Sequence, residues 1–491
     1  MKSFDYDLGI LGGGAAGLTA ASGAAQFGAK TLLIEKADKL GGDCLHYGCV
    51  PSKTLIRSAG VYALARRFPA FGLPGLDLPP VDLGAVMDRV ARVIAQIQAH
   101  DSPERFCRLG ALVRFGAPSF VDPHSVTLDG EVVTAKSWII ATGSRPAVPP
   151  VAGLSNVPFW TNETVFSQRS LPRRLIVLGG GPIGLELAQA FGRLGASVTV
   201  VEFMDQILGI EDADIAAILQ GRLVEEGITI LTATKAVSAA YDGGVFRLSV
   251  TPAVGGGDLR TLEAEALLVA AGRKPNIEGL GLEAAGVAYT PRGITTDKRL
   301  RTTGGHIYAC GDVNGLMPFT HVAGYEAGIA LTNAVLHLPR RADYERIGWC
   351  TYTDPEVAGI GLSEKAAAGQ GLSCRVIEEA FESNDRALAE GEAKGKLKLL
   401  VGDKGTVLGV RIIGPRAGEL MHEWVVALAA KVKLSTMAGA VHVYPTLSEI
   451  SKRAAGDYYS DKLFKPATKE ILRLLFSLKG RACEAPEDSG P

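Results

Sequence analysis

The chain reads as an α/β protein carrying two Rossmann-like dinucleotide-binding units, and three observations predict it. An apolar strand, a glycine turn and an Ala-rich helix occur twice, 167 positions apart. Each copy closes on a second strand that ends in a glutamate. Glycine supplies 60 of the 491 residues and 47% of the chain is hydrophobic, as a buried sheet with many tight turns requires. That length allows two to four domains and a large core.

In the first copy Leu11, Gly12, Gly14, Gly17, Gly28, Ala29 and Glu35 hold the pattern; in the second, Leu178, Gly179, Gly181, Gly184, Gly195, Ala196 and Glu202. The first glycine makes the tight turn, the second lets backbone approach a pyrophosphate, and the third lets helix pack on strand. The helix N-terminus offers unpaired N–H groups and partial positive charge to the phosphates. One GxGxxG is weak evidence, but two in full strand–turn–helix–strand context, each with its terminal acid, are specific. Glu35 and Glu202 would accept hydrogen bonds from ribose diols. A 2′-phosphate beside Glu202 would meet like charge, and Phe203 and Met204 offer no arginine to reverse that, so the second site should take NAD(H) rather than NADP(H).

Cys44 and Cys49 follow the first unit within Gly41-Gly42-Asp43-Cys44-Leu45-His46-Tyr47-Gly48-Cys49-Val50-Pro51-Ser52-Lys53. A dithiol beside a dinucleotide can take electrons as a pair. Nicotinamide delivers hydride but does not readily reduce a disulfide, and a flavin connects the two, so FAD is assigned to the first site and NAD(H) to the second. Pro51 to Arg57 reads as a helix start just after Cys49, aiming positive charge at a thiol that needs to ionise. A metal pair or two structural thiols remains the competing reading, although two ligands make a poor zinc site and no metal site is expected.

Net charge near −1 implies no general attraction to nucleic acid or anionic membrane. The N-terminus lacks an apolar core before a cleavage site, and seven scattered cysteines are no secreted framework, so a cytoplasmic location is expected. The uncharged stretch from Leu8 to Ala29 is long enough to span a bilayer, but its glycine pattern fits the dinucleotide unit.

These motifs are joined by Ala141-Thr142-Gly143-Ser144-Arg145-Pro146, Gly272-Arg273-Lys274-Pro275-Asn276, Ala309-Cys310-Gly311-Asp312 and His442-Val443-Tyr444-Pro445-Thr446-Leu447-Ser448-Glu449. From residue 4 to about 465 the chain resembles the pyridine nucleotide–disulfide oxidoreductases, the group of dihydrolipoamide dehydrogenase, glutathione reductase and mercuric reductase. The resemblance implies a glutathione-reductase-like fold with an α+β C-terminal dimerisation domain. An FAD domain would span 1–148 and 273–344, an NAD domain 149–272 and a dimerisation domain 345–467, followed by a helix and tail at 468–491. FAD contacts would come from Gly12, Gly14, Ala16, Gly17, Glu35, Lys36, Gly42, Lys53, Thr142, Gly143, Gly311 and Asp312, the last on the ribitol. NAD contacts would come from Gly179, Gly181, Ile183, Gly184, Glu202 and Gly272. Lys53 would approach the flavin ring and pair with Glu186. Cys49 would face the flavin as the charge-transfer thiolate, and Cys44 would attack the substrate. The active site would be shared between the subunits of a homodimer.

Two departures bear on the substrate. Asp43, His46 and Tyr47 stand where dihydrolipoamide dehydrogenases usually have Thr, Asn and Val; His46 would cap the loop or else stabilise a thiolate. Tyr444 stands where the lipoamide and glutathione enzymes place a His that pairs with a Glu, here Glu449, to relay the thiol proton across the dimer interface. With reference pKa values of about 10 for Tyr and 6.5 for His, the hydroxyl is a poorer base by roughly 5 kcal/mol. His442 lies two residues earlier, which in an extended segment is about 6–7 Å away. Mercuric reductases also carry Tyr in this region, and Lys53 to Arg67 and His100-Asp101-Ser102 resemble them too. They end in a vicinal cysteine pair, whereas this chain ends with Cys483 alone.

The function expected is therefore electron transfer between NADH, FAD and the Cys44–Cys49 couple. Its substrate would be a soft metal ion or small disulfide in a mercuric-reductase-like protein, or a dihydrolipoyl group with NAD. A redox-responsive binding protein is the reading from another class. Thr468 to Lys479 reads as a capped amphipathic helix that docks on the protein's own body, or else on a partner or membrane surface.

Overall fold

The computed structural model describes residues 3–480 and 482–483. The chain forms two compact units: one runs to Ile347 and includes Thr351–Thr353, and the other holds Gly348–Cys350 and continues from Asp354.

In the first unit, β1 (Tyr6–Leu11), α1 (Ala15–Gln26) and β2 (Thr31–Glu35) make the first glycine repeat, and α2 (Gly42–His46) and α3 (Cys49–Arg66) carry the paired cysteines. After α4 (Leu83–Gln98) and α5 (Pro103–Leu109) come β3 (Ala111–Phe115), β4 (Ser119–Asp122), β5 (Ser125–Leu128) and β6 (Glu131–Ile140). They build a sheet in the order β3-β2-β1-β6-β5-β4, parallel from β3 to β6, with Ile307–Ala309 added beside β6. Its central strands are apolar runs with both faces covered, as parallel sheets require.

The chain leaves through β7 (Ser144–Pro146) and repeats the pattern with β8 (Arg174–Leu178), α6 (Pro182–Leu194), β9 (Ser197–Val201), α7 (Ala213–Glu225) and β10 (Thr229–Leu231). An antiparallel set follows, β11 (Thr234–Asp242), β12 (Val245–Pro252) and β13 (Arg260–Ala264). Then β14 (Ala266–Val269) completes a parallel sheet, β10-β9-β8-β14. The chain returns through β15 (Arg273–Pro275), antiparallel to β7. A short hairpin, β16 (Tyr289–Thr290) and β17 (Gly293–Ile294), precedes β18 (Ile307–Ala309) and α8 (Thr320–Val335). The alanines of α1 pack with those of α8 in one core cluster.

The repeat is physical as well as textual. Gly12 and Gly179 both take a left-handed φ, +107° and +119°, where a Cβ would strike the carbonyl oxygens of Ala141 and Ala270. At Gly17 and Gly184 a Cβ would strike the carbonyl oxygens of Gly12 and Gly179, so helix and turn close only on glycine.

The second unit is a five-stranded sheet in the order β19-β20-β23-β22-β21, from β19 (Gly348–Thr351), β20 (Glu356–Gly361), β21 (Arg375–Ala380), β22 (Lys396–Val401) and β23 (Val407–Gly414). Its helices are α9 (Glu364–Gly369), α10 (Asp385–Glu390), α11 (Ala417–Ala429), α12 (Leu434–Gly439), α13 (Glu449–Leu463) and α14 (Pro466–Phe476). Fully buried Trp424 anchors its core and donates from Nε1 to Ser451 Oγ at 3.0 Å.

Candidate active site

The sulfur pair sits on two successive helices. Cys44 is within α2, and Cys49 is the first residue of α3. The sequence placed this helix start just after Cys49; its first turn includes the cysteine, so unpaired N–H groups and the positive end of the dipole lie at the thiol. Both thiols are free. A hydrogen bond from the Cys44 thiol does most to lower the Cys49 pKa, which falls to about 6 against opposing desolvation. The Thr320 hydroxyl, 3.4 Å from Cys49 Sγ, and the Lys53 charge lower it further. The same hydrogen bond raises Cys44, and burial adds to the rise. The two thiols therefore divide their work: Cys49 holds the negative charge and Cys44 holds the proton.

One turn along α3, Lys53 Nζ donates to Glu186 Oε2 at 2.7 Å. It lies 4.5 Å from the ring centroid of Tyr352, whose N–H donates to Glu186 Oε1 at 2.8 Å. Glu186, on α6, is 5% exposed, so its charge is held by these donors rather than by water. Asp43, beside Cys44, meets Arg273 at 3.2 Å and accepts from Asn162 Nδ2 at 3.1 Å. Asn162 donates as well to the Tyr47 carbonyl, and Arg273 Nε donates to Ser144 Oγ at 2.7 Å. His46 contacts the Leu40 carbonyl through Nε2 at 2.8 Å, in the capping role expected of it.

The glycine turns fit the dinucleotides assigned to them. A Cβ on Gly14 would meet only Gly42 Cα, at 3.7 Å, and one on Gly181 would meet nothing within 4 Å, so both turns present bare backbone. Neither α1 nor α6 has a side chain capping its first N–H groups, which leaves them for phosphate. Glu35 accepts from Gly13 N–H at 2.5 Å and Ala37 N–H at 2.7 Å, and Glu202 accepts from Gly180 and Met204 at the same two distances. Each carboxylate is thus held rigidly, with lone pairs left for a ribose diol. Lys36 is exposed, Ile183 is half-buried and Ala16 is buried. A Cβ on Gly311 would lie 3.6 Å from that of Ala16. Asp312 accepts from Ser144 Oγ at 2.5 Å. Thr142 and Asn276 bond each other twice, and Asn276 N–H donates to the Gly143 carbonyl, pinning the outgoing chain to the returning one. The Gly272 carbonyl accepts from Ala147 N–H at 2.9 Å beside them.

In the second unit Tyr444 is 66% exposed and donates to Asp385 Oδ2 at 2.9 Å, which raises its pKa. The retained acid, Glu449, is half-buried, and its Oε2 is shielded from solvent with no hydrogen-bond partner. His442 Nε2 instead meets Glu423 Oε1 at 2.9 Å. Tyr444 and His442 are thus tied to different acids, and neither is hydrogen-bonded to Glu449, whose charge adds to the rise at Tyr444.

The pyridine nucleotide-disulphide oxidoreductase family matches residues 6–327, and its dimerisation domain matches residues 347–455. The chain belongs to this family. It is 34% identical over 467 residues to a dihydrolipoyl dehydrogenase of Bacillus subtilis, covering 92% of this chain and 97% of that one. It is 32% identical over 459 residues to a mercuric reductase of Staphylococcus aureus, covering 93% and 83%. Among solved structures, the Cu(II) complex of the HOCl-induced flavoprotein disulfide reductase RclA from Escherichia coli superposes with a TM-score of 0.82 at 25% identity, covering 93% of this chain and 99% of that one.

Members of the family use FAD and NAD(P)H, so this is a flavin-dependent disulfide oxidoreductase, and its dimerisation domain supports a homodimer. Sequence reasoning missed Thr320, Tyr352 and Asn162, which the fold brings to the sulfur loop and its lysine. No motif marks them. Among the described residues no group of three or more His, Cys, Asp or Glu is placed to hold a metal ion, and no helix is long and apolar enough to cross a membrane.

Proposed function

We propose that this oxidoreductase takes electrons from NADH and delivers them through Cys44 and Cys49 to a soft metal ion or a small disulfide. Bound FAD supplies the two-electron connection between nicotinamide and sulfur. The residues around it prepare the sulfur end: Cys49 is kept as a thiolate by the Cys44 thiol, Thr320 and Lys53, and Cys44 exchanges with the acceptor. Glu202, fixed by two backbone N–H groups, favours a ribose with a free 2′-hydroxyl, hence NADH over NADPH.

One observation carries the choice of acceptor. The hydroxyl of Tyr444 donates to Asp385 and is made less acidic by it, so the position that serves dithiol oxidation in lipoamide enzymes holds no proton acceptor near neutral pH. Reduction of a metal ion needs no such base, because soft cations bind thiolate directly. The relatives named mercuric reductase, and the copper complex of RclA, support this reading by analogy. The second reading, dihydrolipoamide oxidation with NAD, is favoured by the His442–Glu423 pair, an imidazole–carboxylate couple within two residues of Tyr444. Anaerobic reduction by NADH, followed by a panel of Hg(II), Cu(II), small disulfides and lipoamide, separates the two. Turnover of metal or disulfide above the oxygen background is expected; turnover with lipoyl compounds alone would overturn the proposal.

A further inference from the structure

We propose that α14 docks this enzyme on an anionic phospholipid surface. The sequence placed this helix from Thr468, capped and covering the protein's own body. It starts at Pro466 with no side-chain cap, and apart from half-buried Thr468 every residue from Leu463 to Gly480 is exposed. Ile471, Leu474 and Leu475 share one face with Leu472 at its edge, whereas Phe476, two turns on from Lys469, falls on the cationic side; Phe464 and Leu478 lie just beyond the helix ends. Leu474, Leu475 and Phe476 are 80%, 71% and 67% exposed. An isolated helix of 11 residues is marginal in water, so its persistence calls for a surface to cover that face.

The charge pattern selects the surface. Lys465, Lys469, Arg473 and Lys479 accompany the apolar face, with Glu470 the one carboxylate from residue 463 to residue 480. Lys469 and Arg473, one turn apart, lie on the side away from Ile471 and Leu474. A short helix with cations on its polar side and Leu and Ile on the other lies in the headgroup–acyl boundary of a bilayer, with long cationic side chains reaching up to phosphate. Self-pairing of α14 across a dimer would set two cationic helices together. The family's dimerisation domain also ends at residue 455, before this helix begins. Near-zero net charge argues against membrane affinity only when averaged over the chain; the basic excess here is local. A homodimer would present two such helices, and the linked contacts strengthen each other.

The test is flotation of the flavin-loaded full chain with vesicles of equal phosphatidylglycerol and phosphatidylcholine, or of phosphatidylcholine alone. Binding to the anionic vesicles, weakened by high salt and absent from the neutral ones, is expected. Lys469→Glu with Arg473→Glu should lower it by at least about tenfold. Leu474→Glu with Leu475→Glu should abolish it. Both double variants should keep wild-type NADH oxidation and wild-type mass by light scattering. Failure of the wild type to float overturns the proposal, as does equal binding to neutral vesicles. A drop in oligomer mass for Leu474→Glu with Leu475→Glu would assign the face to a second copy instead.

Discussion

The sulfur loop and the Tyr444 turn teach opposite lessons about how much a family motif guarantees. Around Cys49 each charged or polar group has a partner that serves the thiolate: Thr320 on the sulfur, Lys53 beside it, and Glu186 and Tyr352 on the lysine. Around Glu449 the acid is kept while its expected partner is gone, and one carboxylate oxygen is left shielded and unpaired. With the roles proposed above, the electron-accepting end of the family's machinery is kept, whereas the proton-relay end differs.

The largest expected effect tests the intact side. Cys44→Ser should reduce acceptor turnover to the oxygen background while retaining the flavin spectrum, and anaerobic NADH titration should end one electron pair earlier. Undiminished turnover would remove the dithiol from the route. Next, Lys53→Met should raise the Cys49 titration midpoint from about 6 by roughly one unit, read as thiolate absorbance against pH. The sign follows from the charge form: the depressed pKa keeps Cys49 ionised above about pH 6, and without the ammonium a higher pH is needed. Thr320→Val should shift it in the same direction.

The rebuilt side gives a gain rather than a loss. Tyr444→His restores the imidazole that lipoamide enzymes carry at this position and should raise dihydrolipoamide oxidation, by up to about 10²-fold if general-base catalysis is what is missing. Tyr444→Phe removes only an exposed hydrogen bond and should leave metal-ion or disulfide reduction unchanged. If Tyr444→His is silent while His442→Gln lowers lipoamide turnover, the His442–Glu423 pair has taken over the relay, and the contrast between the two regions narrows.

What could be read from the sequence followed from locality. Gly12 with Gly17, Gly179 with Gly184, and the two terminal glutamates are fixed by chain geometry within one strand–turn–helix unit, so their spacing states their role. The Lys53–Glu186 pair was reachable only through family resemblance, because it joins residues 133 positions apart. Thr320 meets Cys49 across 271 positions, Tyr352 meets Glu186 across 166, and Asn162 meets Asp43 across 119, with nothing local to announce any of them. For α14 the periodicity gave a helix, but its start lay two residues early and its apolar face stayed open. Whether such a face finds cover depends on the rest of the fold.

Asp43 is, with His46 and Tyr47, one of three departures within the sulfur loop, and it sharpens the comparison most finely. It stands where relatives usually have Thr, and it ties the residue before Cys44 to Arg273 and Asn162. Asp43→Asn should cost about 1 kcal/mol in thermal unfolding, a value discounted because the pair is partly exposed. A second charge modifies this: Glu163 has a pKa raised by burial and by Asp43. A carboxyl whose folded pKa is raised loses stability as pH climbs from its unfolded value through its folded one. At neutral pH the substitution therefore relieves repulsion between Asp43 and Glu163 while breaking the Arg273 pair. As pH falls and Glu163 takes up its proton, that repulsion fades and the loss of the Arg273 contact remains. The variant should look worse at mildly acidic pH than at neutral pH, and adding Glu163→Gln should erase the difference. A penalty independent of pH would mean that Asp43 acts through the Asn162 hydrogen bond rather than through its charge.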